Sequence, residues 1–304
     1  MDLRQLTYFL AIVDHGGVNK AAEALFVAQP SVSQALHALE RDLNSTLFVR
    51  VGRKLVLTTS GEALVPAARH VLNGIGLARS LVDAAEGLRS GRLLISSTSS
   101  QSAHPLTPLI TGFQHQHPGV SVTVRAAKHR EDVIASLYTG DAELGLIGRP
   151  EHEAIPKDLD ALSVESQRYL CIARDPGDLP SVLGTVRPAD LVGARLIVGQ
   201  NGTEMRRAAN QVLAMAEGST IAVEIEHREA LIPLILAGAG VAIVTEAFMD
   251  LALATGLAFR ALDVPGPLSV DLLKRQGTVS PAAQAFWDAA KLWTLNHSEG
   301  CANP

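Results

Sequence analysis

Residues 18–40 read VNKAAEALFVAQPSVSQALHALE, and this stretch decides how the N-terminal part of the chain is organised. Small and apolar residues recur at helical spacing on both sides of Pro30. Proline lacks an N–H, so a helix tolerates it in the first turn and is broken by it in the interior. The stretch therefore predicts two helices joined by a tight turn, over 18–25 and 30–43, rather than one kinked helix.

The neighbouring sequence extends this pattern in both directions. An upstream helix is predicted over 3–13, and the segment LFVRVGRKLVLT at 47–58 predicts two short strands around Gly52. The spacing predicts inward positions at Leu3, Leu6, Leu10, Val13, Ala21, Ala22, Leu25, Val32, Leu36, Leu39 and Leu43. Three short helices and a hairpin form a winged helix-turn-helix, which is typical of DNA-binding proteins.

The outward side chains of the third helix are small and polar, as a surface that meets base edges in a major groove requires. Glutamine can bond adenine bidentately, serine can bond bases or phosphate, and hairpin cations can bond the DNA backbone. We therefore predict DNA contacts at Gln29, Pro30, Ser31, Ser33, Gln34 and His37 on the helix, and at Arg50, Arg53 and Lys54 on the hairpin. These features alone also fit a three-helix module that binds a protein.

A long helix is predicted next, over 60–88, opened by a Thr59-x-x-Glu62 capping box. The short N-terminal segment offers little core to cover so long a helix, which indicates a linker that pairs with a second copy of itself. The alternative is a core helix of the following domain. In either case the apolar stripe of the helix over 60–88 comprises Leu64, Ala67, Ala68, Val71, Leu72, Ile75, Ala78 and Val82.

From residue 91 the pattern changes to alternating strands and helices, the first helix starting near residues 103–105. This alternation predicts α/β units with largely parallel sheets. Two units of similar size form a bilobed module with a cleft between them. We expect lobe I at about 90–163 and 267–304 and lobe II at about 164–266.

Ligands in such folds lie beyond the carboxyl ends of the parallel strands. Polar residues follow five predicted strands, and we predict that they converge on a small-molecule site: Thr98, Ser99, Ser100, Gln101, Lys128, Gly148, Arg149, Asn201, Gly202, Thr203, Thr245 and Glu246. Each hydroxyl could instead be an ordinary helix cap or turn residue. The cluster favours a small organic acid, although the carboxylate of Glu246 leaves an amine-bearing or amphoteric ligand open.

Composition bounds the class of protein. The 304 residues allow two or three domains, and 47% hydrophobic with 19% charged residues allows a sizeable core. The net charge of −5 argues against a general nucleic-acid binder, although residues 1–58 hold six Lys/Arg against five Asp/Glu. Without a signal peptide or an apolar run of ~20 residues, a cytoplasmic location is expected.

The two cysteines, Cys171 and Cys301, are too few for a disulfide framework. The apolar run YLCIA favours a buried structural thiol at Cys171 over a redox sensor. His115 and His117 splay apart at i, i+2 spacing on a helix, which disfavours a metal site. We also find no phosphate loop, nucleophile elbow or paired catalytic carboxylates, so neither a cofactor nor an enzymatic activity is expected.

The sequence resembles LysR-type transcriptional regulators over its whole length. The resemblance is carried by Leu3-Arg4-Gln5-Leu6-x-Tyr8-Phe9, Ala21-Ala22-x-x-Leu25, Gln29-Pro30-Ser31-x-Ser33, Leu39-Glu40-x-x-Leu43, Leu47-Phe48-x-Arg50 and Leu57-Thr58-x-x-Gly61. Later blocks are also similar: Phe113-x-x-x-His117-Pro118, Gly140-x-x-x-Leu144-Gly145-Leu146 and Gly238-x-Gly240-Val241-Ala242-Ile243.

The resemblance implies a winged helix-turn-helix at 1–58, a dimerising linker helix at 59–89 and a periplasmic-binding-protein-like effector domain at 90–304. It also implies a dimer of dimers that bends promoter DNA, a small molecule that shifts the bend, and possible contact with RNA polymerase. Two positions depart from the family: Phe26 replaces the usual Gly, Asn or His, and Ala28 replaces Ser or Thr. We therefore expect the turn to be the least conventional part of the motif.

The sequence predicts a ligand-responsive transcriptional regulator. Two alternatives remain: a bilobed solute-binding protein or enzyme, and a DNA binder that responds to no ligand.

Overall fold

The computed structural model describes residues 1–52, 54–84, 90–181, 184–264 and 266–298. It forms two compact units, one built mainly from Met1–Gly87 and one mainly from Leu88–Pro304. Cys301, Arg53 and the end of the predicted linker at 85–89 lie outside the described residues. No helix in the described ranges is long and apolar enough to cross a membrane.

The first unit is the predicted winged helix-turn-helix. It comprises α1 (Leu3–His15), α2 (Val18–Ala24), α3 (Gln29–Asp42), β1 (Phe48–Val51), β2 (Lys54–Leu57) and α4 (Thr59–Ala84). The strands pair antiparallel with Phe48 opposite Leu57. Its core contains Leu6, Phe9, Leu10, Ile12, Ala21, Ala22, Val32, Leu36, Leu39, Leu47 and Phe48. Leu3 and Leu43, predicted to be buried, are 48% and 38% exposed because they lie at helix ends.

The turn between α2 and α3 confirms two helices and shows how Phe26 is accommodated. Phe26 adopts the left-handed conformation with φ 55°. Its N–H bonds the carbonyl of Glu23 at 3.1 Å, and the next N–H, of Val27, bonds that of Ala22 at 3.0 Å. These two bonds form a Schellman motif, which normally places Gly or Asn at the left-handed residue. The turn therefore keeps its usual geometry despite the unusual residue.

The long helix α4 begins one residue away from the predicted capping box. The hydroxyl of Thr58, not of Thr59, accepts from the N–H of Gly61 at 3.0 Å. Thr58 takes this role because its own N–H is held by the carbonyl of Leu47, which fixes it just outside the helix. The first turns of α4 pack on the core of the unit, whereas Val71, Leu81 and Val82 are exposed.

The second unit contains two five-stranded sheets, which define its lobes. Lobe I has the strand order β4–β3–β5–β12–β6 and lobe II the order β11–β7–β10–β8–β9. The strands are β3 (Gly91–Thr98), β4 (Val120–Ala127), β5 (Leu144–Pro150), β6 (Leu159–Gln167), β7 (Tyr169–Ala173), β8 (Arg195–Val198), β9 (Thr220–Glu224), β10 (Val241–Thr245), β11 (Ala258–Leu262) and β12 (Leu268–Arg275).

Helices cover these sheets. They are α5 (Ser99–Gln101), α6 (Thr107–Gln116), α7 (Arg130–Thr139), α8 (Glu204–Met215), α9 (Leu231–Leu236), α10 (Met249–Ala254) and α11 (Pro281–Ser298). A π-helical turn, Ser102–Leu106, joins α5 to α6 and contains His104 in an extended conformation. The helical segment thus starts at Ser99, directly after β3 and before the predicted start at 103–105.

In each sheet four of the five strands run in one direction, as the prediction of largely parallel sheets requires, and one strand runs against them. In lobe I, β12 pairs antiparallel with β5 and β6; in lobe II, β7 pairs antiparallel with β10 and β11. The antiparallel strands lie where the chain passes between lobes, after Gln167 and again between Leu262 and Leu268. β6 thus runs four residues past the expected lobe boundary. β6 could not be predicted from the sequence because polar residues alternate with its apolar ones, and β11 and α10 could not because they are short.

Candidate functional site

The outward face of α3 presents the predicted polar residues. Gln29, Pro30, Ser31, Gln34 and His37 are exposed, while Ser33 is half-buried. The amide nitrogen of Gln29 donates to the hydroxyl of Ser33 at 2.7 Å, which orients the Gln29 side chain on the helix surface. None of these exposed residues contributes to the core of the unit.

Cations lie on the hairpin and beside the polar residues of α3. Arg50 and Lys54 are exposed on the β1–β2 hairpin. Two further arginines, Arg4 and Arg41, line a surface groove of about 530 Å³ together with Ser31, Gln34 and His37. Neither arginine is among the DNA contacts predicted from the sequence. Arg4 lies in the first block that carries the family resemblance, and Arg41 is one helical turn after His37, so spacing could have revealed them.

The second site is a cavity of about 80 Å³ between the two lobes of the second unit. Its lining includes eight of the twelve predicted residues: Thr98, Ser100, Gln101, Lys128, Gly148, Gly202, Thr203 and Thr245. The remaining lining residues are His129, Arg130, Glu131, Glu204, Met205, Arg207, Arg228 and Leu268. Because strand ends of both sheets meet here, the crevice rule located the cavity correctly.

The lobe I side is held by a local bond and a glycine. The Thr98 hydroxyl donates to the side-chain carbonyl of Gln101 across the first turn of α5. A Cβ on Gly148 would lie 2.7 Å from the Gln101 amide nitrogen and 2.6 Å from Leu268. The absence of a Cβ at Gly148 lets the ends of the Gln101 and Leu268 side chains pack closely against β5, which is a steric role in the cavity lining.

The lobe II side contributes a partly buried guanidinium. Arg228 Nη1 donates to the Ser100 hydroxyl at 3.0 Å and lies 3.7 Å from Met205 Sδ. Burial lowers the pKa of Arg228. Within the described ranges, no carboxylate forms an ion pair with it. The Ser100 bond also links lobe I to lobe II directly.

Three residues that line the cavity have a buried polar atom without a hydrogen-bond partner in the described structure. The first is the Thr245 hydroxyl at the end of β10, and its residue is 0% exposed. The second is Nδ1 of His129, whose ring lies against Gly202: a Cβ there would be 3.1 Å from His129 Cε1. The third is Oε2 of Glu204. Buried polar groups without partners are rare in folded proteins and mark places where a ligand or water completes the bonding.

A network of ion pairs lies beside the cavity and joins the lobes. Arg130 of α7 binds Glu131 and Glu153, and Glu153 also accepts from Arg207 of α8 at 3.2 Å. Burial opposes the charge of Arg130, but its bonds to the two glutamates raise its pKa. Burial raises the pKa of Glu204, which has Arg207 at 3.4 Å but forms no hydrogen bond in good geometry.

Four predicted ligand residues do not line the cavity. Arg149 forms an ion pair with buried Asp271 at 2.9 Å and donates to the carbonyls of residues 150, 151 and 153. Its guanidinium is therefore bound inside lobe I. Glu246 binds the backbone and guanidinium of Arg168, each at 2.8 Å, at the crossing between lobes. Ser99 and Asn201 are exposed outside the cavity.

Thr203 lines the cavity and is also a helix cap, which is the alternative stated above for each hydroxyl. Its hydroxyl caps α8 by accepting from the Arg206 N–H at 3.3 Å, and it donates to the Gln200 carbonyl. Arg228 was missed even though it follows strand β9 as the other site residues follow theirs. No group of three metal-ligating side chains is found in the described part of the chain.

Two family models match the chain, and together they cover most of its length. Residues 3–62 match the bacterial regulatory helix-turn-helix protein, lysR family, and residues 86–293 match the LysR substrate binding domain. The second match alone spans more than half of the 304 residues.

Curated relatives are similar over nearly the whole chain. The transcriptional regulator IlvR of Caulobacter vibrioides is 28% identical, with 94% of this chain and 96% of that protein covered. The transcriptional activator CmpR of Synechocystis sp. is 25% identical, with 94% and 93% covered. Both are regulators rather than enzymes.

A solved structure shows the same fold. Full-length CbnR, solved in complex with its target DNA, matches with a TM-score of 0.69 at 22% identity, covering 96% of this chain and all of that chain. At this identity the likeness concerns the fold.

Proposed function

The chain belongs to the LysR family of transcriptional regulators, and we propose that it binds specific operator DNA and responds to a small effector bound in its cleft. DNA is read by α3, with Gln29, Pro30, Ser31, Ser33, Gln34 and His37 facing the major groove. Arg50, Arg53 and Lys54 of the hairpin contact the backbone or the minor groove. The effector is a small organic acid or amphoteric metabolite.

The observation that carries the DNA-binding proposal is the composition of the exposed face of α3. A helix fits the major groove, and the exposed amides of Gln29 and Gln34 offer the paired donor and acceptor that adenine matches. The predicted contacts on the helix include no arginine or lysine, whereas Arg41 of α3 and Arg4 of α1 lie in the same groove as Ser31, Gln34 and His37. Affinity then comes from the surrounding cations and from several copies in one oligomer.

Two substitutions separate sequence reading from backbone attraction. In gel shifts on DNA from upstream of the protein's own gene, Gln34→Ala lowers specific affinity by about 10- to 100-fold and leaves the salt dependence unchanged. Arg50→Gln lowers affinity for all sequences and reduces the slope of log K against log salt by about 0.9 per bound domain.

The matched control is Gln114→Ala, which removes an exposed glutamine from α6 in the other unit. It leaves both quantities unchanged. No specific shift by the wild-type protein, with or without candidate effectors, would instead support a bilobed binding protein or enzyme. A specific shift that no ligand alters would support the ligand-independent alternative.

We also propose the domain assignment and assembly that the family suggests. Residues 1–58 form the DNA-binding domain, 59–89 a dimerising linker and 90–304 the effector domain. The exposed Val71, Leu81 and Val82 on α4 support its pairing with a second copy, since apolar side chains at helical spacing favour helix–helix contact. Two such dimers form a tetramer that acts on promoter DNA in the cytoplasm and contacts RNA polymerase.

A further inference from the structure

We propose that the cleft takes a small oxoanion without an ammonium group, and that Arg228 is the residue that selects it. This inference rests on the proposed function and deepens it, because it chooses between an acid and an amphoteric ligand.

Placing the guanidinium of Arg228 in a partly buried position costs free energy. Its guanidinium has five N–H donors, of which the described contacts use Nη1 alone, on an uncharged hydroxyl. Withdrawing a cation from water is expensive unless an anion compensates it. Since no described carboxylate pairs with Arg228, an anion in the cavity supplies the missing charge, and arginine binds carboxylate or phosphate oxygens in a two-point geometry.

An uncharged hydroxyl on the cavity also lacks a partner. The Thr245 hydroxyl is fully buried, lines the cavity and has no partner in the described structure. It belongs to lobe II, whereas Ser100, which already touches Arg228, belongs to lobe I. An oxoanion held by Arg228 would accept from both hydroxyls and so connect the lobes. Thr245 thus gains the hydrogen bond it lacks.

Cations outnumber carboxylates around the cavity. Its lining has four cations, Lys128, Arg130, Arg207 and Arg228, against two carboxylates, Glu131 and Glu204. Both carboxylates already have arginine neighbours, Arg130 at 2.8 Å and Arg207 at 3.4 Å. An ammonium group would find one oxygen without a hydrogen-bond partner, Glu204 Oε2, but it would share that oxygen with Arg207 and would face a lining in which cations outnumber carboxylates. The cavity therefore disfavours amino acids and other amphoteric ligands.

The volume of the cavity limits the size of its ligand. A cavity of about 80 Å³ admits a molecule of only a few heavy atoms without the lobes moving apart. Small carboxylates and inorganic oxoanions share the chemistry that Arg228, Ser100 and Thr245 would recognise, and only direct binding distinguishes them.

Isothermal titration calorimetry on the full-length protein tests the proposal. The probes are acetate, glycolate, inorganic phosphate and sulfate, with glycine and methylammonium as the amine-bearing comparison, all at one chloride-balanced ionic strength. We expect at least one of the four anions to bind, and glycolate to bind more tightly than glycine. Arg228→Met weakens that binding by about 10- to 100-fold, and Arg228→Lys weakens it less.

Arg260→Met is the matched control, because Arg260 is exposed on β11 and does not line the cavity. It leaves anion binding unchanged. The proposal is overturned if none of the four anions binds, if glycine binds more tightly than glycolate, or if Arg228→Met binds as the wild type does.

Gel shifts on the same preparations keep the two proposals apart. Arg228→Met should bind the upstream DNA as the wild type does without anion, which shows that the variant is folded. If the wild type binds anions through Arg228 but never binds DNA specifically, the proposed function fails and the anion inference stands.

Discussion

Phe26 is the residue whose presence the fold explains least readily. It is 95% exposed and has φ 55°, so it combines an unfavourable backbone conformation with an unburied aromatic ring. A left-handed L-residue costs about 1–2 kcal/mol unless it is Gly or Asn. Nothing packed against the ring in this unit offsets that cost.

Replacing Phe26 by asparagine should therefore stabilise the helix-turn-helix. We expect Phe26→Asn to gain about 1 kcal/mol, because asparagine adopts the same backbone conformation with less strain. In hydrogen–deuterium exchange of the full-length protein, amides of α2 and α3 should then exchange about fivefold more slowly.

Phe26→Ala is the control, since it removes the ring but keeps a Cβ at the left-handed position. Its exchange should stay close to that of the wild type. Faster exchange in Phe26→Asn would show that the phenyl ring itself stabilises the turn.

The surroundings of some residues were predictable from the sequence, and those of others were not. Cys171 is fully buried, as its apolar neighbours indicated, and burial raises the pKa of its thiol to about 11. Glu246 follows β10 as expected and Arg149 lies inside the end of β5, yet Arg168 and Asp271 bind them outside the cavity. Position after a strand can be read from sequence, but a partner that comes from β12 or from a lobe crossing cannot.

At the scale of elements, the junction between the hairpin and α4 depends on Gly61. A Cβ at this position would lie 2.2 Å from the Leu47 carbonyl oxygen and 2.7 Å from Leu57 Cδ2. The first of these is a backbone atom in the segment that also binds Thr58, so it cannot move without opening the junction. The glycine thus allows α4 to begin directly against the hairpin.

We expect Gly61→Ala to destabilise the first unit by about 1–3 kcal/mol through this overlap. Gly74→Ala, in the same helix, has no atom within 4 Å of the new Cβ and should stabilise it by up to about 1 kcal/mol. Hydrogen exchange of the α1–α3 amides and gel-shift affinity measure both effects.

The expected pattern is faster exchange and weaker DNA binding in Gly61→Ala alone. Equal behaviour of the two variants would show that the contact with Leu47 yields without cost, and that Gly61 has no special role in joining helix and hairpin.

Elements were easier to predict than their pairing. Helical spacing and Pro30 located α1, α2 and α3, and the apolar runs around Gly52 located the hairpin. The two strands that run against the others, β7 and β12, were not predictable, because each begins after the chain has crossed from one lobe to the other. The cleft itself followed from the rule that parallel strands end at one edge.

At the scale of the whole molecule, a DNA-binding unit and a unit with a ligand cleft belong to one chain. The lobes of the second unit are connected by Ser100 with Arg228 and by Glu153 with Arg207, and a ligand between them would alter these contacts. A ligand can shift the molecule only through a difference in its affinity for two states. The coupling between ligand and DNA is therefore a measurable free energy, and it is reciprocal.

The most direct test is a gel-shift titration of the upstream DNA by wild-type protein and by Arg228→Met, with and without the anion that binds most tightly. One gel reports both affinity and, through the mobility of the complex, DNA bending. We expect the anion to change the wild-type affinity by about 5- to 150-fold or to shift the mobility of the complex, and to do neither in Arg228→Met. An equal response in both proteins, or no response in the wild type, would contradict this expectation.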